Sequence, residues 1–232
     1  MVEANKHIFF KHFFGLMRLM TSAQCQQTAD DWFNKGVALD DLGKYEEAIK
    51  AYDEAITLNP NLAAAWNNKG VDLHDIGKYE VAIKAYDEAI RLDPKYAAAW
   101  NNKGVALDDL GKYSESIKAF DEVIRIDPNL AAAWNNKGSA LDNQGKYSES
   151  IKAFDEAIRL DPNYAKAWYN KGNVLLAQSN YADAIACYDE TIRIDPNLAE
   201  SWYNKGIALE ALGKTTEAST AFAKAKELGY SG

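Results

Sequence analysis

The chain has 232 residues, a formal net charge of −8 and two cysteines, Cys25 and Cys187. That cysteine count excludes a disulfide framework and any zinc-ligand spacing, so the chain reads as redox-neutral, cytoplasmic in usage and without a cofactor. Lys6, Lys11 and Arg18 against Glu3 leave residues 1–28 at +2, so the rest carries −10; such an acidic body disfavours nucleic acid and suits basic partners.

Residues 1–28 come first. The stretch HIFFKHFFGLMRLM (His7–Met20) is apolar but interrupted by Lys11, His12 and Arg18. It is too short and too charged to span a membrane. His7, Lys11 and Arg18 fall on one helical face, which predicts a basic amphipathic helix. Three readings stay open. One is a weak signal peptide cleaved after Ala23, with Thr21 and Ala23 as the small residues. Another is a helix lying on a membrane surface; either of these would make the protein exported or membrane-associated. The preferred reading is a helix that covers the exposed apolar end of the body beginning at residue 29, or docks in an acidic groove of its own or a neighbouring chain. Gln24 before Cys25 argues against a lipid-modified cysteine.

From residue 29 onward the sequence repeats. Trp32, Trp66, Trp100, Trp134, Trp168 and Trp202 stand 34 residues apart, as do Pro60, Pro94, Pro128, Pro162 and Pro196. A strict period of this size marks a stacked array. Its units are 29–62, 63–96, 97–130, 131–164, 165–198 and 199–232. Each reads as two helices. In the second unit the first runs from about Ala63 to Ile76 and stops at Gly77, a left-handed cap. The second runs from about Tyr79 to Leu92. Asp93-Pro94 is expected to end it and open the next helix, with Asp as cap and Pro in the first turn. Gly43, Gly111, Gly145 and Gly213 repeat the middle stop; Ser179-Asn180 replaces it once, and Asn180 is expected to take over the turn. The last unit puts Ser219 and Lys226 where units one to five have isoleucines such as Ile49 and Ile56, the polar outer face of a terminal repeat.

The order Trp66, Gly70, Leu73, Gly77, Tyr79, Ala82, Tyr86, Ala89, Pro94 resembles the tetratricopeptide repeat, and the resemblance covers residues 29–232. It implies an all-α fold, a right-handed α-solenoid (superhelix) of six helix–turn–helix units whose first helices line a concave groove. It implies protein or peptide binding and no chemistry.

The octapeptide AAAWNNKG at Ala63–Gly70 recurs unchanged at Ala97–Gly104 and Ala131–Gly138. It poses a puzzle, since asparagine is a mediocre helix former. Helical periodicity sorts the first helix into three stripes. Trp66, Gly70 and Leu73 are core, with Gly70 admitting a close neighbour. Ala65, Lys69, Asp72 and Ile76 suit packing against the adjacent unit, with the lysine stem laid along it and its charge reaching out; the family usually has leucine at the lysine place. Ala64, Asn68, Val71 and Asp75 are left for the groove.

Asn34, Asn68, Asn102, Asn136, Asn170 and Asn204 occupy the same place in every unit. A carboxamide offers two donors and two lone pairs and can hold both backbone groups of an extended peptide. Six in a row would form a ladder, similar to the asparagine ladders of peptide-binding superhelical repeats such as those of O-linked N-acetylglucosamine transferases. The bland alternative is a solvated face copied with duplicated units. The preceding places hold Asn67, Asn101 and Asn135 or, elsewhere, Phe33, Tyr169 and Tyr203, aromatics that either hold an apolar ligand side chain or fill space. Asp41, Asp75 and Asp109 would meet Lys or Arg of the partner. The Lys–Asn–Arg clamp of members that hold chaperone tails is absent. Gly213-Lys214-Thr215 lacks the spacing and strand context of a phosphate loop, and Cys187 stands where other units have alanine.

The favoured function is therefore a non-catalytic protein–protein interaction scaffold holding an extended, basic peptide segment. The alternatives are a self-assembling structural module, acting through the array ends or residues 1–28, and a regulatory array for a separate enzyme.

Overall fold

The computed structural model describes residues 27–231; the readings of the amino-terminal stretch before them lie outside the described residues. Among the described residues the chain forms twelve α-helices in six pairs. They are α1 (Ala29–Asp40) with α2 (Tyr45–Leu58), α3 (Ala63–Asp75) with α4 (Tyr79–Leu92), and α5 (Ala97–Asp109) with α6 (Tyr113–Ile126). Next come α7 (Ala131–Asn143) with α8 (Tyr147–Leu160), α9 (Ala165–Ala177) with α10 (Tyr181–Ile194), and α11 (Ala199–Ala211) with α12 (Thr215–Glu227). Each helix packs on its chain neighbours, and first helices of successive pairs also touch, so the pairs stack in chain order as a solenoid.

The stacking within a pair is a fit of glycine against an aromatic ring. A Cβ on Gly70 would lie 2.5 Å from the Tyr86 ring, and one on Gly138 would lie 2.6 Å from Phe154. Tyr52, Tyr86, Phe120, Phe154 and Tyr188 are fully buried beneath these glycines. The expected core stripe is present, with Gly70 and Leu73 buried and Trp66 half-buried. The Trp66 ring packs against the hydrophobic clusters of its own unit and of the preceding one. Its Nε1 donates to the Pro60 carbonyl at 3.3 Å. The bond recurs from Trp100 to Pro94, Trp134 to Pro128, Trp168 to Pro162 and Trp202 to Pro196. That donor–acceptor pair is why each tryptophan from Trp66 onward follows a proline by six residues.

The second stripe also packs as its residues suggest. Ala65 and Asp72 are fully buried against the preceding unit. Lys69 reaches back to Asp53 of α2, Nζ to Oδ1 2.5 Å. Lys103–Asp87, Lys137–Asp121 and Lys171–Asp155 at 2.6 Å, and Lys205–Asp189 at 2.5 Å, repeat the link. Each ammonium also lies over the tryptophan of its own helix, Lys69 at 5.3 Å from the Trp66 ring centre, where the ring's negative face attracts it. The lysine in the family's leucine place is thus a bridge between units.

Two expectations about the turns need correction. Asp93 does not cap the following helix. It ends α4, and its Oδ1 accepts from the Lys95 backbone N at 2.9 Å, an Asx turn that spends the carboxylate inside the connection. The N-cap of α5 is Tyr96, with no side-chain capping bond. The other correction concerns the fifth unit, where Ser179, not Asn180, adopts the left-handed conformation, with φ of 60°. The left-handed residue must directly follow the helix end, and the register puts Ser179 there, matching Gly77 with φ of 75°. Asn180 instead precedes α10, and its Nδ2 donates to Asp183 Oδ2 at 2.7 Å. Because a non-glycine residue in this region is strained by about 1 kcal/mol, Ser179→Gly should stabilise the chain by roughly that amount in chemical denaturation. An unchanged or lowered midpoint would show that the turn carries no strain.

Candidate functional site

The asparagine pairs are joined to one another. Asn67 and Asn135 are buried, 5% and 0% exposed, whereas Asn68, Asn102, Asn136, Asn170 and Asn204 are half-buried and Asn34 is exposed. Asn67 Nδ2 donates to Asn68 Oδ1 at 3.1 Å, and Asn102 Nδ2 donates to Asn67 Oδ1 of the preceding unit at 3.1 Å. Asn101 donates to Asn102 (3.4 Å), Asn136 to Asn101 (3.0 Å), Asn135 to Asn136 (3.3 Å) and Asn170 to Asn135 (3.0 Å). One unbroken chain of carboxamides therefore runs from Asn68 to Asn170. The cross-unit step is 35 residues, one more than the repeat, so a residue meets the next position of the following unit. That offset answers the puzzle of the doubled asparagine: the first of each pair receives the second of the next pair, and a single asparagine per unit could not close the chain.

The six candidate rungs are unequal as a result. Asn102 and Asn136 each use one N–H and one lone pair in the chain, which leaves one donor and one acceptor of the carboxamide's four valences. The Asn204 amide donates to both Tyr169 Oη (3.3 Å) and Asn173 Oδ1 (3.0 Å), so only its oxygen remains. In the first unit Phe33 stands where an asparagine would receive Asn68, and its ring packs on Tyr52 at 5.9 Å. Tyr169 and Tyr203 likewise stack on Tyr188 and Phe222 of their own units, and Tyr230 folds back onto Tyr203 at 4.3 Å.

The acidic residues follow the same offset. His74 Nε2 lies 2.7 Å from Asp109 Oδ2 in the next unit, and its Nδ1 lies 3.5 Å from Asp75. Asn143 Nδ2 donates to Asp108 Oδ2 at 2.9 Å. Two of the three expected carboxylates thus share one imidazole, while Asp41 ends α1 exposed. Burial raises the ionisation of Asp108 and Asp142 above the ordinary carboxylate range, the Asn143 bond opposing it at Asp108 and the Asp109 charge adding to it. Among the described residues no lysine or arginine pairs with Asp40, Asp41, Asp75, Asp108, Asp109 or Asp142. The lysines that bridge units are turned to the other side, toward the second-helix aspartates. Sequence reasoning missed the His74–Asp109 and Asn143–Asp108 contacts; the signal was present as complementary residues 35 apart. Cys187 is buried, and burial pushes its thiol up to about 11, which suits the packing role its alanine counterparts have.

A tetratricopeptide repeat profile matches residues 67–131 and 135–199, more than half of the chain, and two further profiles of the same description match 29–62 and 187–218. With six helix pairs of this geometry, the chain belongs to the tetratricopeptide repeat family, whose members act as protein-interaction modules. A search of curated proteins finds no match. Among solved structures it is similar to MamA at 29% identity, covering 68% of this chain and 93% of that one with a TM-score of 0.63. It shares its fold with pilF of Pseudomonas aeruginosa at 19% identity, covering 88% and 93% with a TM-score of 0.74. It also shares it with YrrB, described as a TPR protein with an unusual peptide-binding site, at 22% identity, 78% and 93% coverage and a TM-score of 0.61. No helix of the described residues is long and apolar enough to cross a membrane.

Proposed function

We propose that the face carrying Asn68, Asn102 and Asn136 binds an extended, basic protein segment, with Asp41, Asp75 and Asp109 meeting its Lys or Arg side chains. The observation that carries this reading is the separation of charge. Every inter-unit lysine is neutralised on the far side, whereas among the described residues Asp41, Asp75 and Asp109 keep no lysine or arginine partner. The carboxamide chain supports it by fixing Asn102 and Asn136 with one donor and one acceptor still unused. Peptide binding by YrrB is in keeping with such a use of the fold. Each neutral hydrogen bond contributes about 1 kcal/mol net, so the ladder works only collectively.

The test is selection of a random peptide library on three forms of the protein. Asn68, Asn102 and Asn136 are changed to alanine in one variant, and Asn67, Asn101 and Asn135 in the other, which breaks the same chain from its more buried side. The natural protein should enrich Lys- and Arg-containing peptides. The first variant should lose them, and the second, whose binding asparagines remain but are less firmly held, should bind them more weakly than the natural protein and more strongly than the first. Enrichment of acidic peptides, or equal binding by both variants, would sink the reading. End-to-end assembly is the weaker alternative: Ala223 replaces the aspartate that receives each lysine, and Ser219 and Lys226 on the trailing side are exposed.

A further inference from the structure

The leading side of α1 is an inter-unit surface that no described residue covers. In units two to six the stripe corresponding to Asp31, Lys35 and Ala38 is buried or half-buried against the preceding unit; in the first unit all three residues are exposed. Leu42, in line with them, is 71% exposed, the most exposed large hydrophobic of the described residues, whereas its counterparts Ile76 and Leu110 are half-buried and Leu212 is 44% exposed. Lys35 has no aspartate of a preceding unit to reach and lies over Trp32 instead, at 4.3 Å.

We propose that residues 7–20 of the same chain pack on this surface. Read as a helix, the stretch puts Phe9, Phe13, Leu16 and Met20 on one stripe, spaced by four, three and four, opposite His7, Lys11 and Arg18. Fourteen helical residues extend about 21 Å, enough to run along the twelve of α1. Residues 21–28 can span up to about 26 Å, ample for a return antiparallel to α1. In that orientation Lys11 approaches Asp41 at the far end of α1, and Arg18 approaches Asp30 and Asp31 at its start, so a +2 segment meets three carboxylates. A second copy is a poorer occupant. Its trailing side offers Ser219 and Lys226 to Leu42, and Ala223 offers Lys35 no carboxylate.

The experiment is hydrogen exchange by mass spectrometry on the full chain. In one variant Phe9, Phe13, Leu16 and Met20 are changed to serine; in a second, Leu42→Asp alters the surface and leaves the segment untouched. Both should speed exchange in α1 about tenfold or more and leave α9 to α12 unchanged, and combining them should add nothing. Exchange in α1 indifferent to the serine changes would overturn the proposal. So would protection of α1 that rises with protein concentration, which assigns the surface to a second copy. Loss of protection in α3 to α7 rather than α1 would place the segment in the groove and also refute it. Protection of residues 7–20 only on adding vesicles of mixed phosphatidylserine and phosphatidylcholine would assign the segment to a membrane and end the proposal.

Discussion

Asp72→Ala should unfold at a higher temperature than the natural chain at pH 7, with the difference shrinking below about pH 4. Asp72 is 0% exposed, and neither carboxyl oxygen has a hydrogen-bond partner among the described residues. Burial, then the charge of Asp40 in the preceding unit, raises its ionisation from the ordinary 3.8 to about 8. Between those values the folded chain holds a proton that the unfolded chain has released. Stability therefore falls as pH rises through this window and is lowest above it. Alanine, which units one, three, four and six have at this place, removes the penalty. A buried polar group without a partner costs about 1–3 kcal/mol, and each kcal/mol moves the midpoint by roughly 2–4 °C at this size. Thermal unfolding at pH 4, 7 and 9 checks both sign and window. A gain that is the same at all three would mean that the ionisation of Asp72 is not its source. The buried Tyr52 hydroxyl beside it is also unpartnered, and Phe33 interrupts the carboxamide chain here, so the first junction is the least satisfied of the five.

The second large effect is expected at Asn135. This side chain is fully buried, receives Asn170 and donates to Asn136. Asn135→Ala leaves both partners short of a bond at the junction of the fourth and fifth units, a loss of about 1–3 kcal/mol. Because a solenoid's stability is a sum over neighbouring units, the loss should be local. Native-state hydrogen exchange should accelerate in α7 and α9 and leave α3 alone. Asn101→Ala, at a half-buried counterpart, should cost less. A uniform change along the whole array would mean that the units unfold together and that the junction is not a separate element.

Much of this architecture is legible in particular residues. The tryptophan and proline spacing marks the units, the glycines mark the middle turns, and three helical stripes sort core from junction. Asp93 and Ser179 depart from expectation for a common reason: local preference yields to register. Asp prefers an N-cap, but here the connection takes its carboxylate first; Asn tolerates the left-handed region better than Ser, but it stands one residue too late. The asparagine chain is hidden more deeply. Aligning units at 34 residues lines up like with like, whereas the physical contacts run at 35. Asp72 lies on the stripe that periodicity assigns to it, yet its charge matters only because that stripe is fully closed.

The 35-residue stagger also makes length a free variable. Every middle unit carries both halves of each joint, an acceptor for the unit after it and a donor for the unit before it. Excising residues 97–130 would bring Asn67 opposite Asn136 and Asp87 opposite Lys137, the same carboxamide and ion-pair contacts as before, with Asn143 in place of Asp109 opposite His74. Gene duplication or loss of whole 34-residue cassettes can therefore lengthen or shorten the reach of this protein without inventing a new interface.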